Sequence, residues 1–163
     1  MSPTPAPDAV HVRRAVPEDV EPIHRCLLAA FEPYRSRYTE GAFADTVPAP
    51  EGIRDRIRTM AVFVATAAGE IVGTISGHEE DGGSGHIRGM AVLPGWHGGG
   101  VAATLLAEVE EELRRRGCTR VNLHTTRPLE RAARFYEKQG FARTGQIEDF
   151  FGMDIIEFAK SLE

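Results

Sequence analysis

Along residues 101–117, VAATLLAEVEEELRRRG, apolar positions recur every four residues at Val101, Leu105, Val109 and Leu113, with Leu106 on the adjoining stripe. That spacing predicts a helix with one buried face. Glu110/Arg114, Glu111/Arg115 and Glu112/Arg116 form three i,i+4 pairs, acid first, on the opposite wet side. Gly117 is the expected stop. Residues 17–31 predict a second helix: Pro17 and two acids stand in its first turn, and Val20, Ile23 and Leu27 share a stripe with His24, Leu28 and Phe31 beside it. A third is expected over 128–140, between Pro128 and Gly140, and a short one over 51–58.

Elsewhere the pattern shortens to strand length. Strands are expected at 10–15, 61–67, 70–80, 86–93 and 120–126, with two more near 142–148 and 152–159. Residues 32–50 read as irregular, because Pro33, Gly41, Pro48 and Pro50 interrupt any period. The strands from 61 to 93 follow one another through short turns, which makes them an antiparallel meander. The strand at 120 follows 86–93 through a helix, so that pair is parallel. Alternation on 86–93 places His86, Arg88, Met90 and Val92 on one face. The fold class is α/β: a mixed, mostly antiparallel sheet of about six or seven strands with about four helices and a single parallel step.

Composition narrows the function. A chain of 163 residues fits one domain, expected over 10–163, with the Pro-rich MSPTPAPDA segment at 1–9 as a flexible tail. A net charge of -5 argues against nucleic acid or an anionic membrane as partner, and no apolar run approaches bilayer length. Cys26 and Cys118 make neither a disulfide framework nor a metal cluster, so a cytoplasmic setting is the default. His11, His78 and His124 have no metal-ligand spacing, and no metal is expected. A homodimer is left open.

The parallel step coincides with LPGWHGGGVAA (93–103), a glycine-rich turn into a helix. Such a turn exposes unpaired N–H groups at a helix N-terminus, a site suited to phosphate. A Walker-type loop would need Gly-Lys-Ser/Thr, and no lysine occurs between Glu70 and Lys138. A dinucleotide fingerprint is matched by Gly98, Gly100 and Ala103, but VNLHTT does not end in the acid that ribose requires. A loop with spare glycines and no ligand leaves their position at the parallel step unexplained.

The segment HIRGMAVLPGWHGGGVAATLL, followed by VNLHTTRPLERAARFYEKQGFARTG, resembles the GCN5-related N-acetyltransferase (GNAT) superfamily, over roughly 61–148. The family's pyrophosphate signature is Arg/Gln-x-x-Gly-x-Gly/Ala. Here it reads His97-Gly98-Gly99-Gly100-Val101-Ala102, with His97 where Arg or Gln is usual, and Leu129 where a second motif commonly has Asn.

The resemblance implies acetyl-CoA as co-substrate and direct acetyl transfer to a primary amine of a small molecule or peptide. It implies a parallel pair splayed at the cofactor loop. The pyrophosphate would be held by the backbone from Gly98 through Gly99, Gly100, Val101 and Ala102 to Ala103, with His97 beside it. Main-chain groups of Met90 and Val92 would receive the pantetheine. Tyr136 matches the family tyrosine near the CoA sulfur and is the expected acid. His86 matches a position where some members place a base, and Glu79 and Glu80 are alternatives. Phe31 and Tyr34, with Tyr38, are expected acceptor walls, and Arg35 and Arg37 would favour an acceptor with a carboxylate or phosphate. A non-catalytic acyl-CoA-binding or regulatory module is the other reading.

Overall fold

The computed structural model describes residues 10–163; the tail expected at 1–9 lies outside the described residues. Seven strands form one sheet: β1 (Val10–Arg14), β2 (Ala61–Ala67), β3 (Glu70–Glu80), β4 (Ser84–Val92), β5 (Arg120–Thr126), β6 (Ala142–Phe150) and β7 (Met153–Ser161). Their order is β1-β2-β3-β4-β5-β7-β6. Every neighbouring pair is antiparallel except β4–β5. The mixed sheet and its single parallel step follow the sequence pattern.

Five α-helices are described: α1 (Val20–Phe31), α2 (Glu40–Thr46), α3 (Pro50–Thr59), α4 (Val101–Arg115) and α5 (Glu130–Lys138). The expected stripe of α4, Val101, Leu105, Leu106, Val109 and Leu113, is buried against β2, β3 and β4. Gly117 takes φ +89° just past its end, as a helix stop requires. Its three i,i+4 ion pairs all form within 4.0 Å. Glu110 is not on a wet side, however. It is 6% exposed and meets Lys160 of β7 at 2.9 Å.

The unexpected helix is α2, within the stretch read as irregular. Thr39 caps it, its Oγ1 accepting from the Ala42 N–H at 3.2 Å. The same hydroxyl donates to the Phe151 carbonyl at 2.8 Å, in the turn between β6 and β7. A Cβ on Gly41 would stand 2.7 Å from Phe151 Cδ1, so glycine here permits the close approach of helix and turn. A contact 110 residues away stabilises this element, and no local period announces it.

Two apolar clusters cover the sheet. One joins α4 and α5 to one face; the other joins α1 and α3 to the opposite face. Strand β4 serves both, because it carries a bulge. Ser76 of β3 pairs with Arg88 and Thr74 with Ala91, leaving an extra residue on β4, where Gly89 takes φ +66°. The alternation expected over 86–93 therefore breaks. Before the bulge Gly85 and Ile87 face α4, and Arg88 reaches Asp45 of α2 on the other face. After it Met90 and Val92 pack with the α4 cluster and Ala91 with the α1 cluster. His86 and Arg88 thus share one face, and Met90 and Val92 lie on the other.

Candidate active site

Strands β4 and β5 pair at only three positions, ending at His86 opposite Asn122. Beyond that point the bulged β4 turns away, and the two strands part. A cavity of about 790 Å³ fills the parting, a size suited to a cofactor or substrate. It passes through the sheet, since its walls include Phe31 and Tyr34 on one side and Val101 and Tyr136 on the other.

His86 lines this cavity at the point where the strands separate. Its Nδ1 lies 2.6 Å from Asn122 Oδ1. The amide of Asn122 has a defined direction, because its Nδ2 donates to Glu80 Oε1 and to Ser84 Oγ, both at 3.1 Å. Since a carboxylate only accepts, Oδ1 must face His86, and His86 Nδ1 must carry the proton. The Nε2 lone pair is left for chemistry. Burial pushes His86 below its ordinary value, and the Asn122 hydrogen bond opposes this only in part. The neutral, basic form therefore persists below pH 6.5.

Glu80 accordingly acts on the site through Asn122 and does not line the cavity. Glu79 does not line the cavity either. Alternation turns it to the α4 face, where Arg116 binds it and holds its carboxyl below the usual range. Both were expected as alternative bases, and the structure places both outside the cavity wall. Three imidazoles also meet here: His78 and His124 each stand 5.5 Å from His86, ring centre to ring centre. Nδ1 of His78 and Nε2 of His124 are buried without a hydrogen-bond partner among the described residues, although Glu148 Oε2 approaches the latter to 3.0 Å. No group of metal-ligating side chains occurs among the described residues.

Tyr136 contributes its ring to the core, edge-on between Phe135 and Phe141 at 5.3 and 5.6 Å. It is 5% exposed, yet it lines the cavity, and its hydroxyl has no protein hydrogen-bond partner among the described residues. Burial pushes its phenol well above the ordinary value, so it stays protonated across the working range.

At the other end lies the glycine loop. The amides of residues 98–103 have no acceptor among the described residues, whereas Thr104 N–H already bonds to the Gly100 carbonyl. Gly98 and Gly100 take φ +79° and +84°, and the space beside each is open. Left-handed glycines beside a helix N-terminus turn several N–H groups toward one point, an arrangement that suits a pyrophosphate. His97 does not extend toward that point. Its Nε2–H turns back to donate to the Val92 carbonyl at 3.0 Å, bracing the end of β4. Leu129 lines the cavity and adds no polar group.

Gly99 has neither a positive φ nor a place in the cavity wall. Gly98→Ala and Gly100→Ala are each expected to cost about 1–2 kcal/mol of stability through left-handed strain, and Gly99→Ala none of that strain. For a domain of this size the difference is roughly 2–8 °C in melting temperature, measurable by calorimetry.

The sequence model of the acetyltransferase (GNAT) family matches residues 21–141, most of the chain. The chain belongs to this family. Among curated relatives, an acetyltransferase of Sodalis glossinidius is 37% identical over 76 residues, 47% of this chain and 53% of that protein. An acetyltransferase of Agrobacterium fabrum is 31% identical over 90 residues, 55% of this chain and 64% of that protein. The chain thus spans about half to under two thirds of the length of the curated relatives it matches. Solved structures share the fold. PaiA N-acetyltransferase from Thermoplasma acidophilum, in complex with coenzyme A, has TM-score 0.77 at 20% identity, covering 93% of this chain and 98% of that one. Ribosomal-protein-alanine N-acetyltransferase from Brucella melitensis has TM-score 0.71 at 25% identity, covering 93% and 99%.

Against the GNAT pattern, the cavity gathers Tyr136, His86, Met90, Val92, His97, Gly98, Gly100, Val101, Ala102, Ala103, Phe31 and Tyr34, and leaves out Glu79, Glu80 and Gly99. Arg35 and Arg37 are absent from its wall too; Arg35 pairs with Glu32 at 2.9 Å and lies over the Phe43 ring. Asn122 was missed, and its place opposite His86 in a parallel register has no local signal. Arg131, Arg134 and Lys138 of α5, also missed, line the cavity. Their i, i+3 and i+7 spacing on a helix that begins after a strand could have flagged them. Tyr38 closes the wall by a 2.6 Å hydrogen bond to Thr126 Oγ1 of β5. No helix among the described residues is long and apolar enough to cross a membrane.

Proposed function

We propose that residues 10–163 act as one acetyl-CoA-dependent N-acetyltransferase unit, moving an acetyl group to a primary amine of a small molecule or peptide and releasing a free thiol. The observation that carries this reading is the pairing of two features in one cavity: a cradle of free amides at 98 and 100–103 and a basic imidazole nitrogen where the sheet splits. Acetyl-CoA supplies an activated acetyl thioester. The amides of 98–103 would hold its pyrophosphate, with Arg131, Arg134 and Lys138 facing its other phosphates. The freed edge of β4 at Met90 and Val92 would receive the pantetheine amides, with the Val92 carbonyl already engaged by His97.

His86 Nε2 takes the proton of the amine, directly or through water. An alkylamine near pKa 10.4 lies about three units from reactive at neutral pH, about 4 kcal/mol, and a base poised in the site supplies part of that. Asn122, oriented by Glu80 and Ser84, keeps the His86 tautomer that leaves Nε2 free. Tyr136 donates its O–H toward the departing sulfur. Its raised pKa means that the proton is shared with the developing thiolate more than surrendered to it. The two buried free cysteines, Cys26 and Cys118, accord with a reducing cytoplasm as the setting.

Titration calorimetry with acetyl-CoA, followed by a thiol-release assay over an amine panel, tests the reading. Binding at tens of micromolar or tighter, with thiol release for some amine, is the expected result. Tight binding with no release for any amine would favour the acyl-CoA-binding module. Absence of binding would remove both.

A further inference from the structure

The acceptor half of the cavity, on the face that carries His86, contains three charged side chains: Asp45 of α2, Arg56 of α3 and Arg88 of β4. Two of them satisfy each other. Arg88 Nη2 donates to Asp45 Oδ2 at 3.0 Å, and both side chains are 38% exposed. Arg56 is the cation left over. Its single hydrogen bond among the described residues runs from Nη2 to the Asp45 main-chain carbonyl, at 3.2 Å, and no carboxylate stands within 4.0 Å of it.

The backbone has made room for this guanidinium. Gly89, at the bulge of β4, takes φ +66°, and a Cβ there would meet Arg56 Nη1 at 3.0 Å. The charge therefore lies over the bulge, three residues along the strand from His86, a span of about 10 Å. Burial and the neighbouring Arg88 oppose the charge of Arg56, pushing its pKa down to about 10, and Asp45 compensates only in part. A half-buried cation whose charge is balanced only in part is costly. Bonding one carbonyl would need only a neutral donor. Arg56 lines the cavity, and a guanidinium fork matches a carboxylate or phosphate in two-pronged fashion.

We infer that the acceptor amine carries an anionic group, a carboxylate or a phosphate, received by Arg56, so that the site selects amino acids or aminophosphates over simple amines and diamines. This rests on the acetyltransferase reading above and names its acceptor class. The one acid of the acceptor half is already paired with Arg88, so nothing remains to receive a second ammonium group. Arg35 and Arg37, expected from the sequence to select such an acceptor, lie outside the cavity wall, and Arg56 takes that role.

The test compares matched probes in the thiol-release assay: β-alanine against β-alaninamide, O-phosphoethanolamine against ethanolamine, and 1,3-diaminopropane. Wild type is expected to use the anionic member at least 10-fold better in kcat/KM, with the diamine poorest. The carboxylate and phosphate pairs separate the two sources of charge. Arg56→Gln should bring the ratio to within about threefold, chiefly by raising KM for the anionic member, and Arg56→Lys should retain part of it. Melting temperatures establish that each variant folds. The same probes are titrated calorimetrically into CoA-loaded wild type and Arg56→Gln, which reads selectivity without turnover. Equal use and equal binding of neutral and anionic members overturns the inference, as does a ratio that survives Arg56→Gln. If CoA itself fails to bind, the acetyltransferase reading fails separately. Titration of β-alanine and β-alaninamide into the free protein then decides whether Arg56 selects anions.

Discussion

Tyr136→Phe is expected to lower turnover about 100-fold or more while acetyl-CoA affinity stays within about threefold. The phenyl ring keeps the edge-on packing with Phe135 and Phe141, so the fold and the cavity wall remain. Only the hydroxyl is lost, and it has no protein partner among the described residues to leave unsatisfied. Losing one donor aimed at developing charge costs on the order of 10²–10³ in rate in other enzymes. The raised phenol pKa implies that the basic limb of the pH profile below pH 10 does not arise from Tyr136. Steady-state thiol release with calorimetric acetyl-CoA binding checks both halves. Unchanged turnover would leave Tyr136 as a core aromatic that borders the cavity.

His86→Ala should reduce kcat/KM at neutral pH by about 10²–10³-fold and remove the acidic limb of its pH profile. In wild type that limb is expected below pH 6.5. Burial depresses the His86 pKa, so protonation, and with it the loss of the base, occurs only as pH falls past the ordinary histidine value. The same depression carries a stability consequence of definite sign. The unfolded chain binds the proton more readily, so this contribution is full above about pH 6.5 and is lost as pH falls. Asn122→Ala sharpens the test. Its hydrogen bond raises the His86 pKa, so removing it should move the limb to still lower pH, with about a 10-fold loss of rate because the tautomer is no longer held. A profile unchanged in both variants would transfer the base role away from His86.

Much of this fold was legible in one dimension. The four-residue apolar repeat of α4 and the period-two runs of the strands depend on neighbours within a turn or two. The strand–helix–strand order around 86–126 made the β4–β5 step parallel, and Gly98, Gly99 and Gly100 marked the loop at that step. By contrast, α2 could not be read, because its cap at Thr39 and the bare backbone of Gly41 answer to Phe151 of a distant turn. The faces of β4 were misread for a related reason: one extra residue at Gly89 inverts the alternation beyond it, and a bulge is defined by the partner strand.

The candidate site divides along the same line. His86 and Tyr136, which line the cavity, were singled out because a family pattern marks their positions, and the loop because glycine has a backbone signature. Alternation puts Glu79 and Glu80 on opposite faces, but only the packed sheet showed that Glu79 goes to Arg116 and Glu80 to Asn122. Asn122 and Arg56 come from β5 and α3, far from His86 in the chain, and only the folded arrangement brings them to it. The sequence by itself determined the elements other than α2, the parallel step and the glycine loop, since these rest on short-range periodicity and turn chemistry. Tertiary structure alone decided the orientation of His86 and the partly balanced charge of Arg56 at the cavity wall, because both depend on register and burial between segments that only packing brings together.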